Sequence, residues 1–187
     1  GTEVRDGDSN TATTGVCTPT TANFMPGLAV GDMDGDGRDE VVACTFDTKT
    51  VYVFGPDGTV RPGWPHSIVS TTHGIWATPA LFGHMLFVVT NSGRLLGVDR
   101  DRGVIRWELP LPPHAWSSPV VVDSTLIVAD CEGTIHAWDV RRPTERPPVL
   151  WEFHLPSGAC IESTPAVWKG RMYVGARDGY FYAIGDR

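Results

Sequence analysis

Apolar and polar positions alternate along this chain in a pattern that comes round four times. Each round opens on a proline followed by a short apolar run, as in "PALF" (Pro79–Phe82) and "PVVV" (Pro119–Val122). A polar turn leads into a second apolar run, "LFVVT", "LIVAD" or "MYVGA". A glycine-bearing turn ("NSGR", "CEGT", "RDGY") then leads to a third run that alternates, as in "TIHAWD" and "YFYAIG". In three rounds a fourth run carries a tryptophan: Trp64, Trp107 and Trp151. The fourth round reaches its third run at "YAIGDR". Short runs with a period of two, punctuated by Gly, Asp and Asn, predict β-strands joined by tight turns.

The opening prolines are Pro26, Pro79, Pro119 and Pro165, spaced 53, 40 and 46 residues apart. A repeat of that length, built of four strands, predicts a blade of a β-propeller. The expected fold is all-β, with blades over approximately 23–70, 71–110, 111–156 and 157–187 and an N-terminal lead over 1–22. Four blades make either a four-bladed ring or half of an eight-bladed one. A third strand left without its neighbour would expose an unpaired edge. The lead ("TEVR"), a second chain, or blades on another polypeptide are the three ways to cover it, and the second chain is the expectation.

Composition agrees with this picture. Only 20% of the 187 residues are charged, while Gly (21) and Pro (15) are frequent, as short strands and many turns require. The net charge of -7 argues against a general nucleic-acid surface. Neither a membrane-length apolar run nor a signal peptide is visible.

These residues carry a resemblance. "LLGVDRDRGVIRWEL", with Asp99, Gly103 and Trp107, resembles the repeat of the pyrroloquinoline-quinone propeller superfamily, and "HAWDV…VLWEF" does so with Asp139 and Trp151. "GDMDGDGRDEVV" followed by "VFGPDGTVRPGWP" is similar to the FG-GAP repeat, the calcium-bearing blade of integrin-like propellers. The resemblance covers about Phe24 to Arg187. It implies a scaffold on which binding proteins, dehydrogenases and lyases are all found. It also implies that Trp64, Trp107 and Trp151 pack between blades.

Candidate chemistry begins with that acidic stretch. Asp32, Asp34, Asp36, Asp39 and Glu40 fall within nine positions. Alternation lets Asp32, Asp34 and Asp36 converge, and oxygen ligands at this density suit calcium, which takes six to eight of them. An EF-hand needs a glutamate at position twelve, where Ala43 stands, and helical flanks, where "GLAV" and "EVVA" read as strands. The resemblance implies side-chain ligation by Asp32, Asp34, Asp36 and Glu40, with the carbonyl of Arg38 as a further ligand and Asp39 turned away. Ca2+ is the expected cofactor, in a structural role. "RDGDSN" offers Asp6, Asp8 and Asn10 at similar spacing, but Thr14 stands where an acid is needed, so it reads as a polar lead.

Residues three before each opening proline are Asn23, Trp76, Trp116 and Glu162. They precede the innermost strand of each blade, on the face opposite the acidic loop. With His73 and His114 they form a candidate ligand-binding mouth, able to stack on a sugar or planar ligand and hydrogen-bond it. The competing reading is that the indoles plug the channel. His84, His136 and His154 read as structural. The scattered cysteines Cys17, Cys44, Cys131 and Cys160 make no zinc pattern. Cys131 and Cys160 fall on loops of neighbouring blades that open on one face, which predicts their disulfide and leaves Cys17 to pair with Cys44; four free thiols are the alternative. Disulfides imply a secreted, periplasmic or cell-surface protein.

No serine-nucleophile elbow, Walker loop or paired-carboxylate signature stands out. The expected function is that of a secreted, calcium-stabilised propeller binding a glycan or protein partner. The alternatives are a quinone-dependent dehydrogenase or polysaccharide lyase of the same fold, and an architectural segment of a larger propeller.

Overall fold

The computed structural model describes residues 26–67 and 74–185. The first sheet holds β1 (Ala29–Gly31), β2 (Glu40–Cys44), β3 (Thr50–Phe54) and β4 (His66–Ser67). The second holds β5 (Ala80–Phe82), β6 (Met85–Thr90), β7 (Arg94–Asp99) and β8 (Ile105–Pro110). The third holds β9 (Val120–Val122), β10 (Thr125–Ala129), β11 (Thr134–Asp139) and β12 (Val149–His154). The fourth has three strands among the described residues: β13 (Ala166–Trp168), β14 (Arg171–Gly175) and β15 (Phe181–Ile184).

Every sheet is an antiparallel meander in chain order. In each, the innermost strand begins after the opening proline, whose missing N–H suits it to that boundary. Trp64 differs from the expected pattern. It stands just before β4, where the described pairs are Thr50↔Ser67 and Val51↔His66.

Alternation gives each sheet two apolar faces, which stack as blades. Cluster by cluster, Val42, Cys44, Val51 and Val53 of blade one meet Leu86, Val88, Leu96 and Val98 of blade two. Met85, Phe87, Val89 and Leu95 of blade two meet Leu126, Val128 and Trp138 of blade three. Ile127, Ala129, Ile135 and Ala137 of blade three meet Met172 and Val174 of blade four. Full burial of a Leu or Phe in such a layer contributes about 1.5–3 kcal/mol.

Two indoles tie blade to blade. Trp64 Nε1 donates to the Arg100 carbonyl at 3.0 Å, and Trp107 Nε1 to the Pro143 carbonyl at 2.7 Å. Each acceptor lies between the third and fourth strands of the next blade. Trp107 lies flat over its partner position Gly97, where a Cβ would run into the indole. The equivalent Trp151 pairs with Ala137 and is 40% exposed.

Among the described residues the blades follow one another in chain order, blade one against two, two against three and three against four. Innermost strands adjoin in the order β1, β5, β9, yet Val30 on β1 is 60% exposed and Trp168 on β13 is 61% exposed. Closure by the N-terminal "TEVR" falls outside the described residues.

Candidate functional site: an aromatic row on the loop face

One face of the stacked blades collects the segments entering each innermost strand and the turns between second and third strands. Trp76 and Trp116 sit in those entering segments, and local packing decides where they point. Ile75 and Ala77 are fully buried, as are Ala115 and Ser117. An extended backbone alternates its side chains, so burial of both neighbours turns each indole outward. The two rings lie 6.2 Å apart, tilted by 45°.

The row continues to both sides. Phe46 meets Trp76 edge-on at 4.9 Å, and His114 meets Trp116 edge-on at 5.8 Å. Trp116 Nε1 donates to Asn91 Oδ1 at 2.6 Å, which fixes the ring's orientation. The Arg177 guanidinium stands 5.2 Å above Trp116 and pairs with Glu162. Such stacking is attractive because the ring face is electron-rich. His114 holds a left-handed backbone, φ 65°, and its N–H donates to the Asn91 carbonyl at 2.9 Å.

Trp76, His114, Trp116 and Glu162 of the expected mouth therefore come together. Asn23 and His73 lie outside the described residues. Phe46, Asn91 and Arg177 were missed, although the sequence held their signal. They follow the second strand at one equivalent position of the repeat, which Cys131 occupies in blade three.

That equivalence explains the disulfide. Cys131 is bonded to Cys160, joining the entering segment of blade four to the turn of blade three. At Gly133, φ 76°, a Cβ would collide with the backbone of Gly158 and Ala159, so glycine permits the close approach. The Cys160 carbonyl accepts from Arg177 N at 2.9 Å. The disulfide thus anchors the backbone beneath the Arg177–Trp116 stack. Cys44 is a free thiol, buried between blades one and two, and burial pushes its pKa up to about 12. This corrects the expected Cys17–Cys44 bond: the Cys44 side chain belongs to an apolar core. Cys17 lies outside the described residues.

The acidic loop joins β1 to β2 at the opposite end of blade one. Asp32, Asp34 and Glu40 each bring an oxygen within 4.8 Å of the others. Asp32 accepts the N–H groups of Gly35 and Gly37 at 2.6 and 2.9 Å. The Gly37 N–H above all lowers its pKa. Glu40 is 1% exposed and accepts from Met33 N at 2.8 Å. A guanidinium unforeseen from the sequence lies between the carboxylates. Arg61 contacts Asp34 at 2.8 Å and Glu40 at 3.1 Å. Asp36 turns instead to Arg38, whose side-chain hydrogen bonds lower its pKa.

Blade three carries a further charged group. His136 Nε2 lies 2.8 Å from Asp130 Oδ2 and Nδ1 lies 2.9 Å from Glu152 Oε1. The ring stacks on Trp138 at 5.3 Å. Burial disfavours the imidazolium, but the bonds to Asp130 and Glu152 outweigh it and raise the pKa. His154 accompanies Thr134 at 3.0 Å, and His84 faces Asp101 at 3.7 Å.

A family model described as outer membrane protein assembly factor BamB matches residues 47–144. The outer membrane protein assembly factor BamB of Salmonella typhimurium is 31% identical over 103 residues, 54% of this chain and 25% of that protein. The crystal structure of BamB from Moraxella catarrhalis superposes with a TM-score of 0.70 at 20% identity, covering 90% of this chain and 48% of that one. A computationally designed protein, Ika4, superposes with a TM-score of 0.69 at 14% identity, covering 89% of this chain and 92% of that one. The chain thus spans about a quarter of its curated relative and about half of the Moraxella structure.

Proposed function

The chain belongs to the family described as outer membrane protein assembly factor BamB, and from that premise we propose that it is a protein-binding propeller of an oxidising compartment. Its docking surface is the row from Phe46 through Trp76 and Trp116 to Arg177. The observation that carries this reading is the outward turn of Trp76 and Trp116, each between two fully buried neighbours. An exposed Trp76 between half-buried Phe46 and Trp116, beside an arginine, matches the composition of binding hot spots. The Cys131–Cys160 bond supports a periplasmic or cell-surface location.

Tryptophan fluorescence tests the reading. Titration with extended peptides from outer-membrane proteins is expected to quench the emission, and Trp76→Ala with Trp116→Ala to abolish the response while circular dichroism shows the fold retained. Quenching by oligosaccharides alone would move the site to the glycan reading, since stacked indoles also suit sugars.

A second reading concerns Ca2+ at Asp32, Asp34 and Glu40, with Asp36 and the Arg38 carbonyl as further ligands. Three converging carboxylates fit a hard cation. Arg61 competes for the same oxygens and must withdraw to admit it. Calcium is then expected to raise Tm, since it binds the folded state. Asp34→Ala should lose the shift and Arg61→Gln should enlarge it. A Tm indifferent to calcium in the Arg61→Gln protein would leave arginine as the loop's only cation.

A further inference from the structure

The repeat sets a border of charge around the aromatic row. Phe46, Asn91, Cys131 and Arg177 stand at one equivalent position after the second strand. The next residues in these turns are Asp47, Ser92, Glu132 and Asp178, so three of the four turns place a carboxylate beside the row. Glu132 is exposed, and among the described residues only its backbone N–H is bonded, to Asp130 Oδ1 at 2.9 Å. Asp178 accepts from the hydroxyls of Ser157 and Tyr182 and from Tyr180 N, all of them neutral donors. The Ser157 bond above all lowers its pKa, so the carboxylate stays charged.

Cations do not balance this border. Glu162 brings a further carboxylate, paired with Arg177. Arg94 is taken up by Glu108 at 2.8 Å, and Lys49 stands two residues after Asp47. Among the described residues of these loops, Asp47, Glu132, Glu162 and Asp178 therefore outnumber Lys49 and Arg177. The net charge of -7 has the same sign, so the field over the row attracts an approaching cation. An apolar centre inside a charged border is the anatomy of a protein interface. Charges in such a border select the partner and speed its arrival more than they tighten the complex.

The two indoles also set the shape of the occupant. Their 6.2 Å separation is close to the spacing of alternate side chains on an extended chain, about 6.7 Å. We propose, taking the aromatic row as the docking surface, that its occupant is an extended cationic segment. Apolar side chains at alternate positions lie on Trp76 and on the open part of Trp116. Lys or Arg residues to either side of them meet the Asp47 flank and the Glu132 and Asp178 flank. Arginine suits this border doubly, since a guanidinium also stacks on an indole, as Arg177 does on Trp116.

Fluorescence titration of the full chain with a set of tryptophan-free peptides tests the proposal. All share the centre Phe-Ser-Phe and carry lysine pairs, glutamine pairs or glutamate pairs on both sides of it. The lysine peptide is expected to bind about tenfold tighter than the glutamine peptide at low salt, with the glutamate peptide weakest. Salt should shrink these differences, because exposed charges are screened. Glu132→Gln is expected to weaken the lysine peptide by up to about fivefold, the range of an exposed charge pair, and to leave the glutamine peptide and Tm unchanged. Equal affinities, or a preference for glutamate, would overturn the cationic occupant while the row remained a docking surface. So would a lysine preference undiminished in Glu132→Gln with Asp47→Asn, or lysine-peptide binding that survives Trp76→Ala, since the cation would then be held elsewhere. Absence of quenching by every peptide would overturn the docking row and the cationic occupant together.

Discussion

His136 is the residue whose charge state matters most to the blade that holds it. Its partner Asp130 is 1% exposed, so a neutral ring would leave a buried carboxylate short of its cation. The folded pKa of His136 is raised, so its contribution is fully present below the ordinary value of about 6.5 and is lost as pH rises through the folded value. The Asp130 pKa is lowered: burial works against the charge, but the His136 bond and the Thr134 and Glu132 N–H groups prevail. Its contribution is present above about 3.9 and lost as pH falls through its lower folded value. Stability from the pair therefore peaks between these limits. His136→Gln is expected to cost about 2 kcal/mol below pH 6, or roughly 4–8 °C of Tm, and to flatten the fall toward alkaline pH in a thermal-denaturation series. None of this was legible in the sequence, where His136 reads as one polar position on an alternating strand. Arg61 was equally hidden. It lies beyond β3 from the carboxylates it pairs with, and only the hairpin brings it back. Spacing reveals which acids converge, but a cation arriving from another turn leaves no local mark.

Elements were easier to read. Prolines opening each round and alternation within it placed the strands, because both follow from backbone hydrogen bonding and from burial of alternate side chains. The fourth strand of blade one was misjudged, since Trp64 marks a contact between blades rather than a strand. That contact has a regular form: the indole reaches the turn of the next blade 36 residues along, at Arg100 from Trp64 and at Pro143 from Trp107. Trp107→Phe keeps the ring but loses the hydrogen bond, and is expected to cost about 1 kcal/mol. Trp107→Ala empties a buried site and should cost about 3–5 kcal/mol. Trp151→Ala, at 40% exposure, should cost clearly less. Urea unfolding of the three variants ranks them, and equal losses at Trp107 and Trp151 would contradict the difference in docking. The aromatic row was half legible. Counting back from the prolines found Trp76 and Trp116, whereas Phe46, Asn91 and Arg177 needed the second periodic position to be recognised.

At the scale of the molecule, four units of repeat were plain in the sequence, but whether they close on themselves was not. Curvature is a sum of small blade-to-blade rotations set by side-chain volume at each interface, and no single residue announces it. Interfaces of this kind make stability a chain of nearest-neighbour terms, so the ends are the weakest part. Among the described residues blade four has three strands, and Trp151, which precedes it, is 40% exposed, so blade four is less firmly tied than blades two and three. Besides its apolar layer, the Arg177–Trp116 stack and the bond from Ser117 Oγ to the Ser163 carbonyl, the Cys131–Cys160 bond, spanning 29 residues, ties it to blade three, and a bond closing such a loop contributes about 3 kcal/mol. Reduction is expected to lower the unfolding midpoint of this blade while leaving blades one and two unchanged, which hydrogen exchange can resolve blade by blade. The consequence reaches past stability. A copy retained among cellular thiols would carry a loosely held fourth blade, and opened chain is what proteases cut. Limited digestion under reductant should therefore release the segment beyond residue 156 first, while the oxidised protein resists. The bond gives the molecule a persistence that depends on where it is delivered: copies that reach an oxidising space endure, and stranded ones are cleared.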